Sequence, residues 1–280
     1  MRRQRSSDEV KLCVLGSGSR GNAILMQSGE TRVLIDAGFA PRTLARRLLS
    51  IGVHPQSVQA VVLTHEHTDH SKGVAGCASK WGWSVYATAG TQTECGLLEE
   101  FGAQTITPGL DFQIGDVNLN PVRISHDASE PVALIATAQS TGVRAAFVYD
   151  LGMVTQSLTR ALDRVDILII ESNHDGEMLR NGPYPAMLKR RISGREGHLS
   201  NRDAGAAAVE CAHGGMSHVV LAHLSETNNT PQKATEAMRL ALRRTPFKGS
   251  IVAAMQDVPS NTISADRAAA FGPAQLTLAL

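Results

Sequence analysis

Short apolar runs alternate with turn-forming residues along most of the chain, and their spacing predicts the order of strands and helices. Residues 11–15, 23–27 and 31–35 form three such runs in close succession, which predicts three strands at the start of the fold. Pro41 then opens a segment with apolar residues on one helical face, and Gly52 ends it. Strands and helices that alternate in this way favour an α/β fold.

The remainder of the chain continues this alternation and adds two hairpins in its middle. Gly115-Asp116 and Ser140-Thr141-Gly142 are turn sequences between apolar runs, which predicts a hairpin around each. The further predicted strands cover residues 60–63, 84–87, 104–107, 111–114, 117–124, 131–138, 143–149, 165–170, 217–222 and 251–254. The further predicted helices cover residues 72–81, 91–101, 156–162, 203–213 and 231–244.

Residues 1–9 are polar and charged, and residues from about 258 onward lose periodicity. We therefore expect a flexible N-terminal tail over residues 1–9, one folded domain over 10–257 and a mobile C-terminal tail over 258–280. No apolar run approaches the roughly 20 residues of a membrane helix, and no signal peptide follows the basic N-terminus. These features predict a cytoplasmic protein that does not enter a membrane.

The composition permits a large core and excludes a strongly basic protein. The apolar fraction is 42%, and the formal net charge is +1. Because a strong positive field is absent, binding to nucleic acid would need a local basic patch. The four cysteines lie far apart in the sequence and are expected to be free thiols.

The densest candidate chemistry lies in residues 64–70, which read Thr-His-Glu-His-Thr-Asp-His. This segment follows an apolar run and precedes a predicted helix, so it lies at the carboxyl end of a strand, where α/β sheets place their sites. Because alternate side chains of an extended segment share a face, His65 and His67 can bind one metal ion. Asp69 and His70 can face a second ion as the chain turns. Imidazole and carboxylate groups are ligands for Zn, Mn or Fe.

Further polar residues also stand where predicted strands end. His126 and Asp150 follow two strands of the predicted hairpins, and His223 follows the strand at 217–222. His174 lies just beyond another strand, and the pattern leaves open whether it is a ligand. Together with the cluster at 64–70, these positions indicate a site assembled from several strand ends.

The spacing His65-x-His67-x-Asp69-His70 resembles the metal-binding signature of the metallo-β-lactamase superfamily. Other segments resemble its YycJ/WalJ-like exonuclease subfamily, namely Gly-Ser-Gly-Ser-Arg-Gly-Asn-Ala at 16–23, Glu-Ser-Asn-His-Asp at 171–175, Tyr-Pro-Ala-Met-Leu-Lys-Arg-Arg-Ile at 184–192 and Gly-His-Leu-Ser-Asn at 197–201. The resemblance covers most of the chain. It implies a four-layer αββα sandwich.

The resemblance also implies that the ligands are divided between two divalent metal ions, either Zn, Mn or Fe. The implied ligands are His65, His67 and His126 for one ion, Asp69, His70 and His223 for the other, and Asp150 as the bridge between them. Asp36 is expected to support the ligands through hydrogen bonds. Where the superfamily commonly has a Thr-Asp-Thr-Gly-like segment, residues 149–152 read Tyr-Asp-Leu-Gly, so the groups around the bridge differ.

The same resemblance suggests which residues contact a substrate phosphate. Backbone N–H groups of the Gly-Ser turn can cradle a phosphate, and a hydroxyl at the start of the helix near residue 203 would add an anion site. The expected substrate contacts are Ser17, Ser19, Asn22, His174, His198, Ser200 and Asn201. Asp69 is expected to orient the nucleophile, and His198 is expected to stabilise the phosphoryl oxyanion or to protonate the leaving oxygen.

These expectations describe a metal-dependent phosphodiesterase, and by resemblance a 5′-to-3′ DNA exonuclease with a role in DNA repair. Two cations about 3.5–4 Å apart lower the pKa of a shared water and neutralise charge on a phosphoryl oxygen. The alternative is a small-molecule hydrolase, of thioesterase or lactonase type, because a fold does not determine a substrate. A redox or sensing protein is disfavoured, since di-iron members of the superfamily tend to carry Glu where this chain has His67.

Overall fold

The computed structural model describes residues 9–96 and 99–266 of the chain. The strands in these ranges are β1 (Val10–Gly16), β2 (Ala23–Ser28), β3 (Thr31–Ile35), β4 (Ala60–Val62), β5 (Ser84–Thr88), β6 (Gln104–Ile106), β7 (Phe112–Ile114), β8 (Val117–Arg123), β9 (Val132–Ala138), β10 (Arg144–Val148), β11 (Ile167–Glu171), β12 (His218–Ala222), β13 (Ser250–Ala253) and β14 (Ile263–Ala265). The helices are α1 (Pro41–Ser50), α2 (Thr68–Ser71), α3 (Val74–Trp81), α4 (Ala89–Cys95), α5 (Gln156–Ala161), α6 (Gly176–Asn181), α7 (Ala186–Ile192), α8 (Asn201–Cys211) and α9 (Pro231–Leu242).

The strands form two mixed seven-stranded sheets. The first has the order β14-β1-β2-β3-β4-β5-β6, with parallel pairs from β3 to β6 and antiparallel pairs elsewhere. The second has the order β13-β12-β11-β10-β9-β8-β7, with parallel pairs from β10 to β13 and an antiparallel meander from β7 to β10. Each sheet therefore contains a set of parallel strands whose carboxyl ends lie together, which is the geometry that gathers a site.

Three clusters of buried apolar side chains separate four layers of structure. Strand β1 shows why, since Leu12 and Val14 point into the cluster between the sheets, whereas Cys13 and Leu15 point into the cluster beneath α1 and α3. A third cluster packs α5, α8 and α9 onto the other face of the second sheet. Strands buried on both faces read as continuous apolar runs, which is the pattern seen in the sequence. The αββα sandwich implied by the resemblance is therefore confirmed.

The two predicted hairpins are confirmed, and the predicted helices are present with shifted ends. The helix predicted over 72–81 begins at Val74 as α3, because the N–H of Gly73 donates to the carbonyl of Ala37 and not to a helix, and the separate short helix α2 precedes it. The predicted helix over 91–101 ends at Cys95, because Gly96 adopts a left-handed conformation with φ of 63°.

The C-terminal boundary of the fold also differs from the expected tail over 258–280. Residues 263–265 form β14, which pairs antiparallel with β1 at the edge of the first sheet. A three-residue strand is too short to show periodicity, and its pairing depends on a partner from the other end of the chain. The expected tail over 1–9 and the rest of the C-terminal tail lie outside the described residues, apart from Glu9 and the segment up to Asp266.

All four cysteines, Cys13, Cys77, Cys95 and Cys211, are free thiols, as expected. Burial raises the pKa of the Cys77 and Cys211 thiols to about 12, so they are not reactive thiolates. Within residues 9–96 and 99–266, no helix combines the length and the apolar character needed to cross a bilayer.

Candidate metal centre

Histidines and carboxylates from the ends of several strands meet at one edge of the sandwich. The loop over 64–70 follows β4, and each of the other segments likewise begins where a strand of either sheet ends. The residues that meet there are Asp36 after β3, His126 after β8, Asp150 after β10, Glu171 at the end of β11 and His223 after β12. The structure thus brings together every ligand position that the sequence and the resemblance indicated, and it adds Glu171.

The side chains form overlapping groups in which the candidate ligand atoms lie within 4.8 Å of one another. These groups are His65 with His67 and His126, Asp69 with His70 and His223, His65 with His70 and Asp150, and Asp150 with Glu171, His198 and His223. The first two groups are the expected ligand sets of the two ions. Asp150 shares a group with members of each set, which is the position that a bridging carboxylate requires.

Asp36 holds one side of the cluster in place. Its carboxylate accepts hydrogen bonds from the backbone N–H and the hydroxyl of Thr64, both at 2.8 Å, and from the Tyr149 hydroxyl at 2.9 Å. It also lies 2.8 Å from Nδ1 of His70, so Nδ1 is the protonated nitrogen and Nε2 is free to bind a metal. Asp36 therefore makes the contacts that its expected supporting role needs.

Glu171 holds the other side of the cluster in place, and this role was not predicted from the sequence. Its Oε1 lies 2.9 Å from Nδ1 of His223 and 2.8 Å from Nδ1 of His198, while its Oε2 accepts the N–H of Leu199 at 2.9 Å. Burial raises the pKa of Glu171, but His198 and His223 outweigh burial and lower it to about 2, so the carboxylate is ionised at neutral pH. Its position directly after the apolar run 167–170, like that of Asp36 after the apolar run 33–35, is the signal that could have identified it.

Unpaired polar atoms show that the cluster fits a bound cation. Nε2 of His65, Oδ2 of Asp150 and Nε2 of His223 are buried and have no hydrogen-bond partner among residues 9–96 and 99–266. Oδ2 of Asp150 also lies 2.9 Å from Nε2 of His70, where two acceptors repel each other unless a proton or a metal ion lies between them. Nitrogen and oxygen donors of this kind suit divalent ions such as Zn, Mn and Fe.

The backbone at the site is strained. Asp36, Asp150 and His223 have positive φ values of 58°, 56° and 53°, a region that side chains with a Cβ rarely adopt. Such conformations persist only where the surroundings determine them, and they concentrate at functional sites. Here all three residues turn a side chain from the end of a strand into the cluster.

A cleft of about 260 Å³ opens onto this cluster. Asp69, Asp150, His198 and His223 line it, so the candidate ligands and the candidate proton donor face the same space. Leu188 and Ile192 of α7 form part of its apolar wall. The cleft therefore combines charged side chains with apolar ones, which suits a substrate whose reacting group is charged.

Comparisons with known proteins agree with this geometry. A family model described as a beta-lactamase superfamily domain matches residues 31–224, which include every candidate ligand. The chain belongs to the metallo-β-lactamase superfamily. Exodeoxyribonuclease WalJ of Streptococcus pneumoniae serotype 2 is 30% identical over 234 residues, covering 81% of this chain and 86% of the relative. Exodeoxyribonuclease YycJ of Bacillus anthracis is 31% identical over 238 residues, covering 84% and 89%.

Solved structures share the superfamily fold at lower identity. The metallo-beta-lactamase fold protein YhfI of Bacillus subtilis matches with a TM-score of 0.68 and 18% identity, covering 92% of this chain and all of its own. Zn²⁺-bound PqqB of Methylobacterium extorquens matches with a TM-score of 0.64 and 17% identity, covering 90% of this chain and 99% of its own. At these identities the matches show the fold alone.

In this member of the superfamily the Gly-Ser turn supports the site from within. The Ser17 hydroxyl donates to Oδ1 of Asn22 at 2.9 Å and accepts the N–H of His223 at 2.8 Å. The N–H of Asn22 donates to the carbonyl of Asp69 at 2.7 Å. Ser17 and Asn22 are buried, whereas Ser19 is exposed and lines the cleft. Of the three residues expected from this turn, only Ser19 is placed to meet a substrate directly.

The expected contacts from the second motif region are also mostly turned inward. Asn201 is 4% exposed, and its amide bonds to Ser172 at 2.7 Å and to Asn229 at 3.0 Å. Ser200 caps α8 by accepting the N–H of Asp203 at 3.2 Å. His174 is 3% exposed, forms an isolated bridge with Ser200, and does not line the cleft. His198 is the residue of this group that faces the cleft.

Gln256, three residues beyond the end of β13, holds the Gly-Ser turn in place and was not predicted from the sequence. Its amide donates to the carbonyl of Gly21 at 2.9 Å and accepts the N–H of Arg20 at 2.8 Å. Arg47 of α1 donates to the Gln256 carbonyl at 3.0 Å and to the Leu15 carbonyl at 2.8 Å. The residue that holds the turn thus lies 236 positions from Arg20 in the sequence.

Replacing Gly38 by Ala is expected to destabilise the protein and to displace the metal loop. A Cβ on Gly38 would lie 1.7 Å from the carbonyl oxygen of Asp69, so the backbone at Asp69 must move. We expect a loss of about 2–4 kcal/mol in the free energy of unfolding, together with weaker metal binding. Urea unfolding and metal titration measure the two effects. Gly29→Ala has no atom near its added Cβ and serves as a control for the metal titration. Unchanged stability in Gly38→Ala would contradict the geometry.

Metal binding is expected to release protons from the metal-free protein at neutral pH. Burial lowers the pKa of His223, but Asp150, Asp69 and Glu171 raise it above its ordinary value, to about 10. Burial likewise lowers the pKa of His70, and Asp150 and Asp36 raise it well above the ordinary value. A raised pKa means that the charged imidazole stabilises the metal-free fold, fully below about pH 6.5 and less as pH rises toward 10.

Because a metal ion and a proton compete for the same nitrogen, apparent metal affinity should rise about tenfold per pH unit for each proton released. Isothermal titration calorimetry of Mn²⁺ or Zn²⁺ at pH 7, in two buffers with different ionisation enthalpies, counts the released protons. We expect at least about one proton for each protein molecule that fills the site. A heat that does not depend on the buffer would contradict the proposed ligand set.

Proposed function

We propose that the protein is a metal-dependent DNA exonuclease, a phosphodiesterase that removes nucleotides in the 5′-to-3′ direction. The observation that carries the proposal is a His/Asp cluster that could hold cations and that faces one cleft together with His198, in a chain about 30% identical to two exodeoxyribonucleases. The hydrolase class follows from the superfamily. The choice of DNA rests on those relatives. The direction and a role in DNA repair rest on the resemblance to the YycJ/WalJ-like subfamily in the sequence motifs, and the cytoplasmic location stays a prediction from the sequence.

The proposed metal centre would hold two divalent ions, Zn, Mn or Fe. The residues that would hold them are His65, His67 and His126 for one ion, and Asp69, His70 and His223 for the other, with Asp150 between the two. When bound, such ions act as Lewis acids that lower the pKa of water and neutralise charge on a phosphoryl oxygen. The protein residues around them orient the reactants and move protons.

Asp69 is placed to orient the attacking water. Burial raises the pKa of its carboxyl, but His223 and His70 outweigh burial and hold it below the ordinary range, so Asp69 is ionised at neutral pH. Its Oδ2 lies 3.3 Å from Nε2 of His70 and 3.5 Å from Nε2 of His223, and its side chain lines the cleft. An ionised carboxylate at that point can accept a hydrogen bond from water and align it with the phosphorus atom.

His198 is placed to protonate the leaving oxygen. Its Nδ1 is held by Glu171, which leaves Nε2 as the nitrogen available to a substrate in the cleft. Burial lowers the pKa of His198, but Glu171 outweighs burial and raises the pKa above the ordinary value, which favours the protonated ring. A protonated imidazole beside the cleft can donate to the alkoxide that departs from a phosphodiester.

The test of this function uses DNA, RNA and a small ester in parallel. Purified protein with Mn²⁺ receives linear duplex DNA, RNA of the same sequence, and a thioester or lactone, with Asp69→Ala and a chelated sample as controls. We expect acid-soluble nucleotides from DNA only, and none from either control. Hydrolysis of the small ester with both polymers intact would replace the proposal by a small-molecule hydrolase.

A further inference from the structure

A second concave surface adjoins the metal cleft. We call it the arginine recess, because Arg190, Arg191 and Arg195 line it, and its volume is about 820 Å³. The recess and the cleft share Asp127, Arg191 and Gly197 as lining residues, so the two spaces lie side by side. A polymeric substrate that is bound in the cleft can therefore also contact the recess.

The charges in the recess favour an anion. Arg191 pairs with Asp127 through contacts of 2.5 and 3.0 Å. Arg190 and Arg195 form no ion pair with any acidic side chain of residues 9–96 and 99–266. The acidic residues of the lining are Asp127, which Arg191 neutralises, and Glu196. The balance is positive in a protein whose formal net charge is only +1, so this is a local basic patch and not part of a general field.

The recess is built on closely packed backbone. The Ser125 hydroxyl donates to the carbonyl of Arg195 at 2.8 Å, which ties the recess to the segment that carries His126. A Cβ on Gly152 would lie 2.3 Å from the Gly194 carbonyl, and a Cβ on Gly197 would lie 2.2 Å from the Arg191 carbonyl. The arginines therefore project from a wall whose position relative to the candidate ligands is determined by packing.

We propose that the arginine recess binds a phosphodiester adjacent to the scissile one, as a second phosphate subsite. The inference rests on the proposed function, and it names a polynucleotide of at least two phosphodiester linkages as the preferred substrate. A guanidinium group matches phosphate oxygens through paired N–H donors. No side chain in the described part of the chain pairs with the guanidinium group of Arg190 or Arg195. Binding of remote phosphates supplies free energy that orients the scissile linkage over the metal centre.

The test compares a single-stranded oligonucleotide with a thymidine dinucleotide, which has one phosphodiester linkage. The variant is Arg190→Ala/Arg195→Ala, and the matched control is Arg243→Ala/Arg244→Ala, whose exposed arginines line neither the cleft nor the recess. We expect the wild-type protein to prefer the oligonucleotide in kcat/KM. The recess variant should lose about 10- to 100-fold on the oligonucleotide and less than about twofold on the dinucleotide.

Direct binding gives a second measurement. Fluorescence anisotropy with a labelled oligonucleotide that has uncleavable linkages should show weaker binding by the recess variant, with the slope of log K against log salt reduced by about one to two. Equal losses on both substrates, or an unchanged preference for the oligonucleotide, would overturn the subsite while leaving the nuclease proposal intact. Failure of the wild-type protein to cut either substrate, and to cut linear duplex DNA as well, would overturn the proposed function itself.

Discussion

Asp150→Asn is expected to lower nuclease activity by at least about 10³-fold and to reduce the metal content of the purified protein. Asn has the same shape as Asp, but it is neutral and offers one acceptor oxygen, so it cannot hold two cations. The Asp150 carboxylate lies 2.9 Å from Nε2 of His70 and 3.0 Å from Nδ1 of His223, which places it among the candidate ligands of the second ion. Elemental analysis and the nuclease assay measure the two losses.

The same variant should change how many protons the metal-free protein binds at neutral pH. Burial lowers the pKa of both His70 and His223, and Asp150 is the carboxylate that raises both pKa values most. Replacing this carboxylate by a neutral amide should lower both pKa values, so that fewer protons are released when metal binds. Asp111→Asn, at an exposed carboxylate beside β7, is the control and should alter neither metal content nor activity. Full activity with two bound ions in Asp150→Asn would contradict the bridging role.

His198→Ala is expected to lower kcat by about 10²- to 10⁴-fold without loss of bound metal. His198 contacts Glu171 and lines the cleft, and it is not among the proposed metal ligands. Because its pKa is raised above the ordinary value, the wild-type kcat should fall as pH rises through that pKa and the donor is lost. The variant should lack this alkaline decline, which loss of structure alone would not produce.

Two further variants separate His198 from the residue that holds it. Glu171→Gln should lower kcat and also weaken metal binding, since Glu171 contacts both His198 and the candidate ligand His223. His54→Ala removes an exposed histidine remote from the cleft and should leave both quantities unchanged. If His198→Ala binds substrate and cleaves it at the wild-type rate, the proton-donor role is wrong.

The metal loop could be predicted because its chemistry is local. Three histidines and Asp69 within 64–70 stand directly after an apolar strand, and both features are visible in a short window of sequence. His126, Asp150 and His223 followed from their positions at strand ends together with the resemblance to the superfamily. Their convergence depends on how the two sheets meet, and the structure supplies that geometry.

The residues that sequence reasoning missed or placed differently depend on contacts between distant segments. Glu171 is a single carboxylate in a motif whose histidine is the more conspicuous candidate, and its role is visible only when His198 and His223 meet it. Gln256 acts on a turn from the other end of the chain. For Asn22, the sequence indicates a polar turn but cannot indicate which side chains point inward.

The most direct measurement of the central claim follows the two ends of a DNA duplex. A linear duplex labelled on one strand, at either its 5′ or its 3′ end, is incubated with the protein and Mn²⁺ and sampled at single-nucleotide resolution, beside Asp69→Ala. The proposed function predicts that the 5′ label appears at once as a short product, while the 3′-labelled strand shortens stepwise from its far end. Loss of the 3′ label first, internal cuts, or equal degradation by Asp69→Ala would contradict it.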